Sequence, residues 1–240
     1  MSAIDYRPLR GLSEFKAAEA MQRAVWGEGD KEDPFDLMMV VQNEGGLVGG
    51  AFVDGRLLGY VFGFPTRDPE VQYSHRLAVL PDARGLGLGA GLKRYQRSWC
   101  LENGIRRIRW TYDPLRKTNA ALNIRVLGAQ ASTYYREFYG EMSGINEGAP
   151  SDRLRVDWVL DDPHVERRME GNRDALPLEG EVRSIAIPEG FEAAMKDDPG
   201  RATALRLQSR ACFEEAFAAG FVIRDFDPQT STYRLAKRST

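Results

Sequence analysis

Apolar residues along the chain repeat at two spacings, one typical of helices and one typical of strands. The segment 13–26 has the helical spacing, so we expect a helix there that Ser13 caps and Gly27 ends. Next, Asp54-Gly55 separates two apolar runs, which is the strongest short-range signal for a β-hairpin. The chain therefore begins with a predicted helix and a predicted hairpin.

The alternation of strands and helices continues up to about residue 162. The predicted elements are a strand at 71–81, a helix from 88 to Asn103-Gly104, a strand at 105–112, a short helix at 119–127 closed by Gly128, and strands at 132–140 and 153–161. The helix after 88 carries one apolar stripe, formed by Leu88, Leu92, Tyr95 and Trp99. This order predicts an α/β protein with a mixed central sheet flanked by helices.

From residue 163 the chain changes in character. It becomes charged and rich in turn-forming residues, which indicates a linker that leaves His164 at the surface. A strand at 182–188, a helix at 200–219 and a terminal hairpin follow, and the helix is expected to bury Leu205, Cys212, Phe213 and Phe217. We predict a main domain at 1–162 and a C-terminal α+β extension at 163–240, which extends the sheet, covers a binding site or forms a homodimer.

Composition narrows the class of protein. The chain is 42% apolar with a net charge of −2, so it can fill a core, and a cationic nucleic-acid-binding protein is not expected. Two cysteines, and two histidines without ligand spacing, predict no metal site. The apolar stretches are too short for a membrane span of about 20 residues, and the N-terminal sequence lacks the apolar region of a signal peptide. We expect a cytosolic protein with no membrane partner.

The segment 75–91, HRLAVLPDARGLGLGAG, carries the clearest chemistry. A strand leads into a loop where Gly85, Gly87 and Gly89 permit unusual backbone angles, and a helix begins at once. Unpaired N–H groups at a helix start, with Arg84 beside them, favour a phosphate or pyrophosphate ligand. A Walker A loop is excluded because no Gly-Lys-Ser/Thr is present, and a Rossmann loop fits poorly because it would follow the strand directly. A purely structural glycine turn remains open.

The charge of the surrounding segment agrees with an anionic ligand. Residues 84–125 contain ten basic and two acidic side chains, within a chain whose net charge is −2. Such a local excess attracts phosphates, although some of these arginines are expected only to form the solvated faces of a helix and an edge strand.

The motif Arg84-x-x-Gly87-x-Gly89, between a strand and a helix, resembles the pyrophosphate motif of the GNAT superfamily of acyl-CoA-dependent N-acyltransferases. The resemblance covers roughly 5–160 and is strengthened by the element order, by Val79-x-Pro81 upstream, and by Asn119 and Asn123 after the next strand. The sequences SHxLxVxP, WTYDPL, NAxLN and FYG are similar to one subgroup of that superfamily.

The resemblance implies a function and a set of binding residues. The residues assigned to acyl-CoA are Leu77, Ala78 and Val79 beside the pantetheine arm, Arg84, Gly85, Leu86, Gly87, Leu88 and Gly89 around the pyrophosphate, and Asn119 and Asn123, which could equally cap a helix. The thioester would lie where the strand 71–81 parts from the strand 105–112, and a backbone N–H there would stabilise the oxyanion. The expected reaction moves an acetyl group, with succinyl as an alternative, from acyl-CoA to a small amine such as an amino acid. A catalytically silent acyl-CoA-binding regulatory module is the alternative function.

His75 is the candidate general base. Strict alternation along the strand places it on one face with Tyr73, Leu77 and Val79, and an imidazole accepts a proton near neutral pH. The competing interpretation is a hydrogen-bonded histidine of the sheet with no role in proton transfer.

The sequence identifies the general acid less clearly than the general base. Relatives carry a tyrosine four residues before the helix-ending glycine, where this chain has Ile124 before Gly128. Tyr139 is therefore the candidate acid, unless the thiolate leaves unaided. A polar run of Asn146, Ser151, Asp152 and Arg153 follows, in which Arg153 is either a clamp for a substrate carboxylate or part of a solvated loop.

Overall fold

The computed structural model describes residues 3–27, 29, 31–140 and 150–237. These residues form two compact units, Met1–Arg109 and Trp110–Thr240. The expected domain boundary at 162/163 stays a prediction, because compact units need not coincide with domains that fold independently.

The first unit is a sheet with helices on both faces. Its elements are β1 (Asp5–Pro8), α1 (Gly11–Trp26), α2 (Phe35–Asn43), β2 (Leu47–Val53), β3 (Arg56–Pro65), β4 (Val71–Val79), α3 (Leu88–Glu102) and the beginning of β5 (Arg107–Tyr112). Strands β1 to β4 pair antiparallel in chain order, whereas β4 and β5 pair in parallel. This mixed pairing confirms the predicted fold class.

Local sequence signals explain several boundaries of this unit. Asp54 and Gly55 have φ angles of 48° and 79°, as the two positions of a tight hairpin turn require, so the predicted hairpin is confirmed. Gly27, with φ of 88°, ends α1 as predicted. The predicted Ser13 cap is wrong, because α1 starts at Gly11 and the N–H of Arg10 at its start donates to the Glu14 side chain at 2.7 Å. Helix α2 was not predicted.

Two apolar clusters cover the two faces of this sheet. On one face, residues of α1 and α2 such as Phe15 and Met38 pack against Tyr60 and Phe62 of β3. On the other face α3 presents its predicted stripe, with Leu88 and Leu92 buried against β2 and β3 and with Tyr95 and Trp99 partly buried. The predicted stripe is therefore confirmed.

A polar cluster lies within the contact between α3 and β4. The Lys93 side chain is only 2% exposed, and its Nζ donates to Ser74 Oγ at 2.7 Å and to Gln96 Oε1 at 3.0 Å. Gln96 Nε2 in turn donates to Gln72 Oε1 at 2.7 Å. Burial lowers the pKa of Lys93 to about 7, since an ammonium group is poorly solvated there.

The second unit contains a set of antiparallel strands and several helices. Its elements after β5 are α4 (Lys117–Ala120), a π-helical stretch (Ala121–Val126), β6 (Gln130–Tyr135), β7 (Arg153–Val159), α5 (Pro163–Met169), β8 (Val182–Ala186), α6 (Phe191–Asp197), α7 (Pro199–Ala218), β9 (Phe221–Asp227) and β10 (Thr232–Lys237). The strand order β7-β6-β9-β10-β8 is antiparallel throughout. No helix in the described part of the chain is long and apolar enough to cross a bilayer.

Three expectations for the C-terminal part need correction. The segment after 162 begins with helix α5, which Asp162 caps by accepting the His164 N–H at 2.8 Å, so the predicted linker is wrong there. His164 is buried, not at the surface. Helix α7 buries Phe213 as predicted but leaves Cys212 exposed, because its inner face is set by other residues. The terminal hairpin of β9 and β10 is confirmed.

Two arginines of α7 bind carboxylates of the second unit. Arg206 donates from both terminal nitrogens to Asp113 at 2.6 and 2.8 Å, and Arg210 makes a similar pair of bonds to Asp152 at 2.8 Å each. Burial opposes the ionisation of Asp113, but the bonds and charge of Arg206 outweigh it and lower the pKa of Asp113. The inner face of α7 is therefore partly ionic.

Replacing Lys93 by Met is expected to flatten the dependence of stability on pH. The folded pKa of Lys93, about 7, lies below its value in the unfolded chain, so unfolding takes up a proton above that pH. The unfolding free energy of the wild type should therefore rise by up to about 1.4 kcal/mol per pH unit between about pH 7 and 8.5 because of this group.

Urea unfolding at several pH values measures the difference. Lys196→Met, at an exposed lysine of α6, is the control and should keep the wild-type slope. Equal slopes for wild type and Lys93→Met would contradict a neutral buried lysine.

Candidate functional site

A β-bulge interrupts β4 at His75. The ladder with β3 pairs Phe62 with Arg76 but Gly63 with Ser74, so His75 is an additional residue without a partner in the register. An additional residue moves every side chain that follows it in the strand to the opposite face of the sheet from the one that regular alternation predicts.

The bulge corrects the expected arrangement of the strand. Leu77 and Val79 pack into the cluster against α3, whereas the His75 ring lies on the opposite face, 5.8 Å from the Phe62 ring centre and 5.6 Å from that of Phe64. The expectation that His75 shares a face with Leu77 and Val79 is therefore wrong. A bulge leaves no signature in the apolar pattern from which that expectation was derived.

His75 and Arg76 both bind Asp33, a residue that the sequence did not single out. His75 Nε2 lies 3.1 Å from one carboxylate oxygen, and Arg76 Nε donates to the other at 2.7 Å. The main chain of Asp33 is fixed by Gln22, whose side-chain amide makes two bonds to it at 2.8 and 3.0 Å. Burial opposes ionisation of Asp33, but His75 and Arg76 outweigh it, so the pKa of Asp33 is lowered.

A cavity of about 410 Å³ lies beside this group. Its wall is mainly apolar and includes Val40, Phe62 and Phe64, while its polar lining includes Asp33, Glu44 and His75. Leu37 and Val40 of α2 also expose apolar surface. Asp33 is already paired with Arg76, so the Glu44 carboxyl group in this apolar cavity suits a ligand that combines an apolar part with a positive charge.

The glycine loop has the backbone geometry that its sequence suggests. Gly85 and Gly87 have φ angles of 89° and 73°, and α3 begins directly after Gly87. The first bond within the helix runs from Gly91 N–H to Gly87 O at 3.0 Å, and no side chain of the described residues caps this end. The first-turn N–H groups therefore have no partner within the helix. Arg84 and Leu86 are exposed beside them.

The backbone predicted to bind pantetheine belongs to the last part of β4. Leu77, Ala78 and Val79 pair with Val61, Tyr60 and Gly59 of β3. In the first unit, the ladder between β4 and β5 extends from Val71 to Tyr73. Leu77 also faces α3, since a Cβ built on Gly89 would lie 3.9 Å from its Cδ2 atom. The structure thus brings 77–79 and the loop 84–89 to one end of β4.

Three predicted residues lie in the second unit. Asn119 is exposed on α4, whereas Asn123 is buried in the π-helical stretch and accepts a bond from Trp110 Nε1 at 3.2 Å. Tyr139 is exposed, and its hydroxyl lies 3.1 Å from Thr111 Oγ1. Their proposed roles stay predictions.

The polar run before β7 is not a solvated loop where it is described. Ser151, Asp152 and Arg153 are buried, and the Arg153 guanidinium lies 5.1 Å from the centre of the Tyr139 ring. Asn146 lies outside the described residues.

The basic segment is less available to ligands than its sequence suggests. Lys93 of α3 is buried against β4, and Arg125 pairs with Asp225 of β9 at 2.9 Å. Two of the ten basic side chains at 84–125 are therefore engaged elsewhere. The described residues contain no group of three or more His, Cys, Asp or Glu side chains that could hold a metal ion.

The mixed sheet flanked by helices, the glycine loop and the bulged strand beside a cavity belong to an α/β domain. Residues 13–123 match the family model described as acetyltransferase (GNAT) family, which confirms the resemblance to that superfamily. No curated protein matches the chain in sequence.

Solved structures share the fold. The ribosomal-protein-S18-alanine N-acetyltransferase from Escherichia coli is 16% identical, with a TM-score of 0.55 over 67% of this chain and 96% of that protein. The protein yncA from Salmonella typhimurium, solved with its cofactor acetyl-CoA, is 16% identical, with a TM-score of 0.54 over the same shares. An N-acetyltransferase from Staphylococcus aureus Mu50 is 14% identical, with a TM-score of 0.56 over 67% of this chain and all of that one.

Replacing Gly87 by Ala is expected to lower the unfolding free energy by about 1–2 kcal/mol, the usual cost of a left-handed conformation with a side chain. A Cβ there meets no atom of the described residues within 4 Å, so the cost is conformational, not steric. Gly89→Ala is the control, because Gly89 lies within α3 without a positive φ and its Cβ would make an ordinary contact. Urea unfolding compares the two variants, and equal losses would contradict this reading of the loop.

Proposed function

We propose that the protein is an N-acyltransferase that moves an acyl group from acyl-CoA directly to the amine of a small molecule. The observation that carries this proposal is the left-handed glycine pair, Gly85 and Gly87, placed directly before an uncapped helix N-terminus. Acetyl-CoA is the first donor to consider, because the family match and the yncA structure both point to acetyl transfer. Succinyl-CoA is the second.

The donor would bind along the end of β4 and over the loop. First-turn N–H groups of α3 and the loop residues Arg84–Gly89 would hold the pyrophosphate, because they present fixed donors and the positive end of the helix. The pantetheine arm would pair with the backbone of Leu77, Ala78 and Val79 as an added strand does. Asn119 and Asn123 keep their proposed role in binding the same donor.

His75 would take the proton of the acceptor amine. An ionised Asp33 can only accept a hydrogen bond, so the Nε2 of His75 carries the hydrogen and Nδ1 is left to receive a proton. The amine nitrogen then forms a bond to the acyl carbon, the carbon–sulfur bond breaks, and CoA leaves as a thiolate that takes a proton from Tyr139 or from water. This arrangement supports an enzyme better than a catalytically silent binding module.

The cavity beside His75 would bind the acceptor. Glu44 favours a cationic ligand, and the aromatic wall favours an apolar substituent. Arg76 already binds Asp33 and the Lys31 carbonyl oxygen, so the carboxylate of an amino acid would compete with existing bonds. We therefore rank amines with an apolar group above free amino acids.

Thiol release from acetyl-CoA and succinyl-CoA tests this function against a panel of apolar amines, amino acids and polyamines. We expect turnover with at least one of the donors, and the highest kcat/KM for an apolar amine. Tight binding of CoA without thiol release from any amine would support the silent module instead.

His75→Gln is expected to lower kcat by about a hundredfold or more, the usual contribution of a general base. Asp33→Asn should lower it by less, because it orients His75 without touching the proton. Acyl-CoA affinity, measured by calorimetry, should stay unchanged in both variants. An unaltered kcat in His75→Gln would contradict the proposed role of His75 as the general base.

Arg84→Glu is expected to weaken acyl-CoA binding by about ten- to a hundredfold, because a charged hydrogen bond to phosphate is replaced by repulsion. Arg67→Glu is the control, since Arg67 is exposed in the same unit and outside the loop. Calorimetric titration of both variants makes the comparison, and equal weakening would indicate a general effect of charge.

A further inference from the structure

A second cavity, of about 310 Å³, lies in the second unit. Helix α5 contributes His164, Arg167 and Arg168 to its wall, and the segment 174–177 contributes another part. None of these residues has a role in the proposed acyl transfer, so the cavity needs its own explanation.

The wall next to this cavity carries more guanidinium groups than carboxylates, and one of the guanidinium groups, that of Arg168, is buried. Asp225 of β9 is fully buried, and three guanidinium groups contact its carboxylate, those of Arg125 at 2.9 Å, Arg168 at 3.3 Å and Arg234 at 3.5 Å. One carboxylate balances one of these charges. Buried charge without a counter-charge is costly, so a further anion would stabilise the group.

Arg168 is the least exposed of the three. Its side chain is 1% exposed, and one terminal nitrogen donates to the carbonyl oxygens of Asn172 and Asp174 at 3.1 and 2.9 Å. Its Nε is buried and has no hydrogen-bond partner in the described part of the chain. The Nε–H group of Arg168 is therefore available to donate a hydrogen bond at the cavity wall.

His164 supplies a second buried polar atom without a partner. The residue is 6% exposed, and within the described ranges no group hydrogen-bonds its Nε2. Its ring packs against Gly128, where a built Cβ would lie 3.2 Å from the ring carbon Cδ2. Burial and the charge of Arg168 lower the pKa of His164 to about 4, so the ring is neutral at physiological pH. A neutral imidazole can donate one hydrogen bond without requiring a counter-charge.

The opposing charge at the cavity is limited. Asp174 lines it, but its carboxylate already accepts a bond from Asn172 Nδ2 at 3.2 Å. Arg167 is exposed at the same wall and adds another positive charge. The volume admits a metabolite-sized molecule, and the donors present suit the oxygens of a phosphate or carboxylate.

We propose that His164, Arg167 and Arg168 form a binding site for a small oxyanion, the phosphate or carboxylate group of a metabolite-sized ligand. The proposal is independent of acyl transfer, since it depends on residues of the second unit alone.

Calorimetric titration with inorganic phosphate and with succinate, at constant ionic strength, tests the site. Comparing the two titrations shows whether the site prefers a phosphate or a carboxylate. We expect saturable binding of at least one anion, weakened tenfold or more by Arg167→Glu. His164→Leu should weaken it as well, since it removes the neutral donor. Arg167 is exposed, so its variant keeps the proposal testable if His164→Leu fails to fold.

Two control variants decide where the anion binds. Lys196→Glu makes the same change of charge at an exposed site of α6, and Arg84→Glu makes it at the glycine loop. Lys196→Glu should bind the anion as the wild type does, and Arg84→Glu should keep the component of binding that Arg167→Glu removes. The proposal is overturned if neither anion binds saturably, or if Arg84→Glu abolishes binding while Arg167→Glu leaves it intact.

Discussion

The candidate acyl-transfer site depends on one additional residue in β4. In a regular strand, two consecutive side chains cannot point to the same face. The bulge at His75 removes this restriction, so that His75 and Arg76 both reach Asp33. Beyond the bulge, Leu77 and Val79 face α3 and anchor the strand end that leads to the glycine loop. One irregularity thus serves both the proposed proton acceptor and the proposed donor site.

Features encoded by a few neighbouring residues were predictable from the sequence. The Asp54-Gly55 turn and the glycine loop before α3 each depend on backbone angles that glycine or aspartate adopt locally. Asp33 is separated from His75 by 42 positions, and only the folded sheet brings the two together. The bulge was equally invisible, because apolar alternation reports the face of a residue only when the register is regular.

The predictions for the second unit that were wrong failed for a different reason. Sequence patterns treat arginine as a surface residue, yet Arg168, Arg206 and Arg210 point inward and bind Asp225, Asp113 and Asp152. A helix that buries ion pairs shows no clear apolar stripe, so α5 looked like a linker and Cys212 of α7 was placed inside. Replacing one partner of such a pair leaves an uncompensated buried charge, which makes these contacts costly to break whatever they contribute when intact.

The two proposed anion sites would use different donors, and this affects what each can recognise. At the glycine loop, main-chain N–H groups hold the ligand, with Arg84 as the adjacent charge, so geometry is fixed by φ angles and little side-chain entropy is lost on binding. At the second cavity, the donors are guanidinium and imidazole groups whose position depends on Asp225 and on the carbonyl oxygens of 172 and 174. The first arrangement suits an extended diphosphate, since successive N–H groups follow the chain. The second suits a single compact oxyanion, because its donors converge on one cavity.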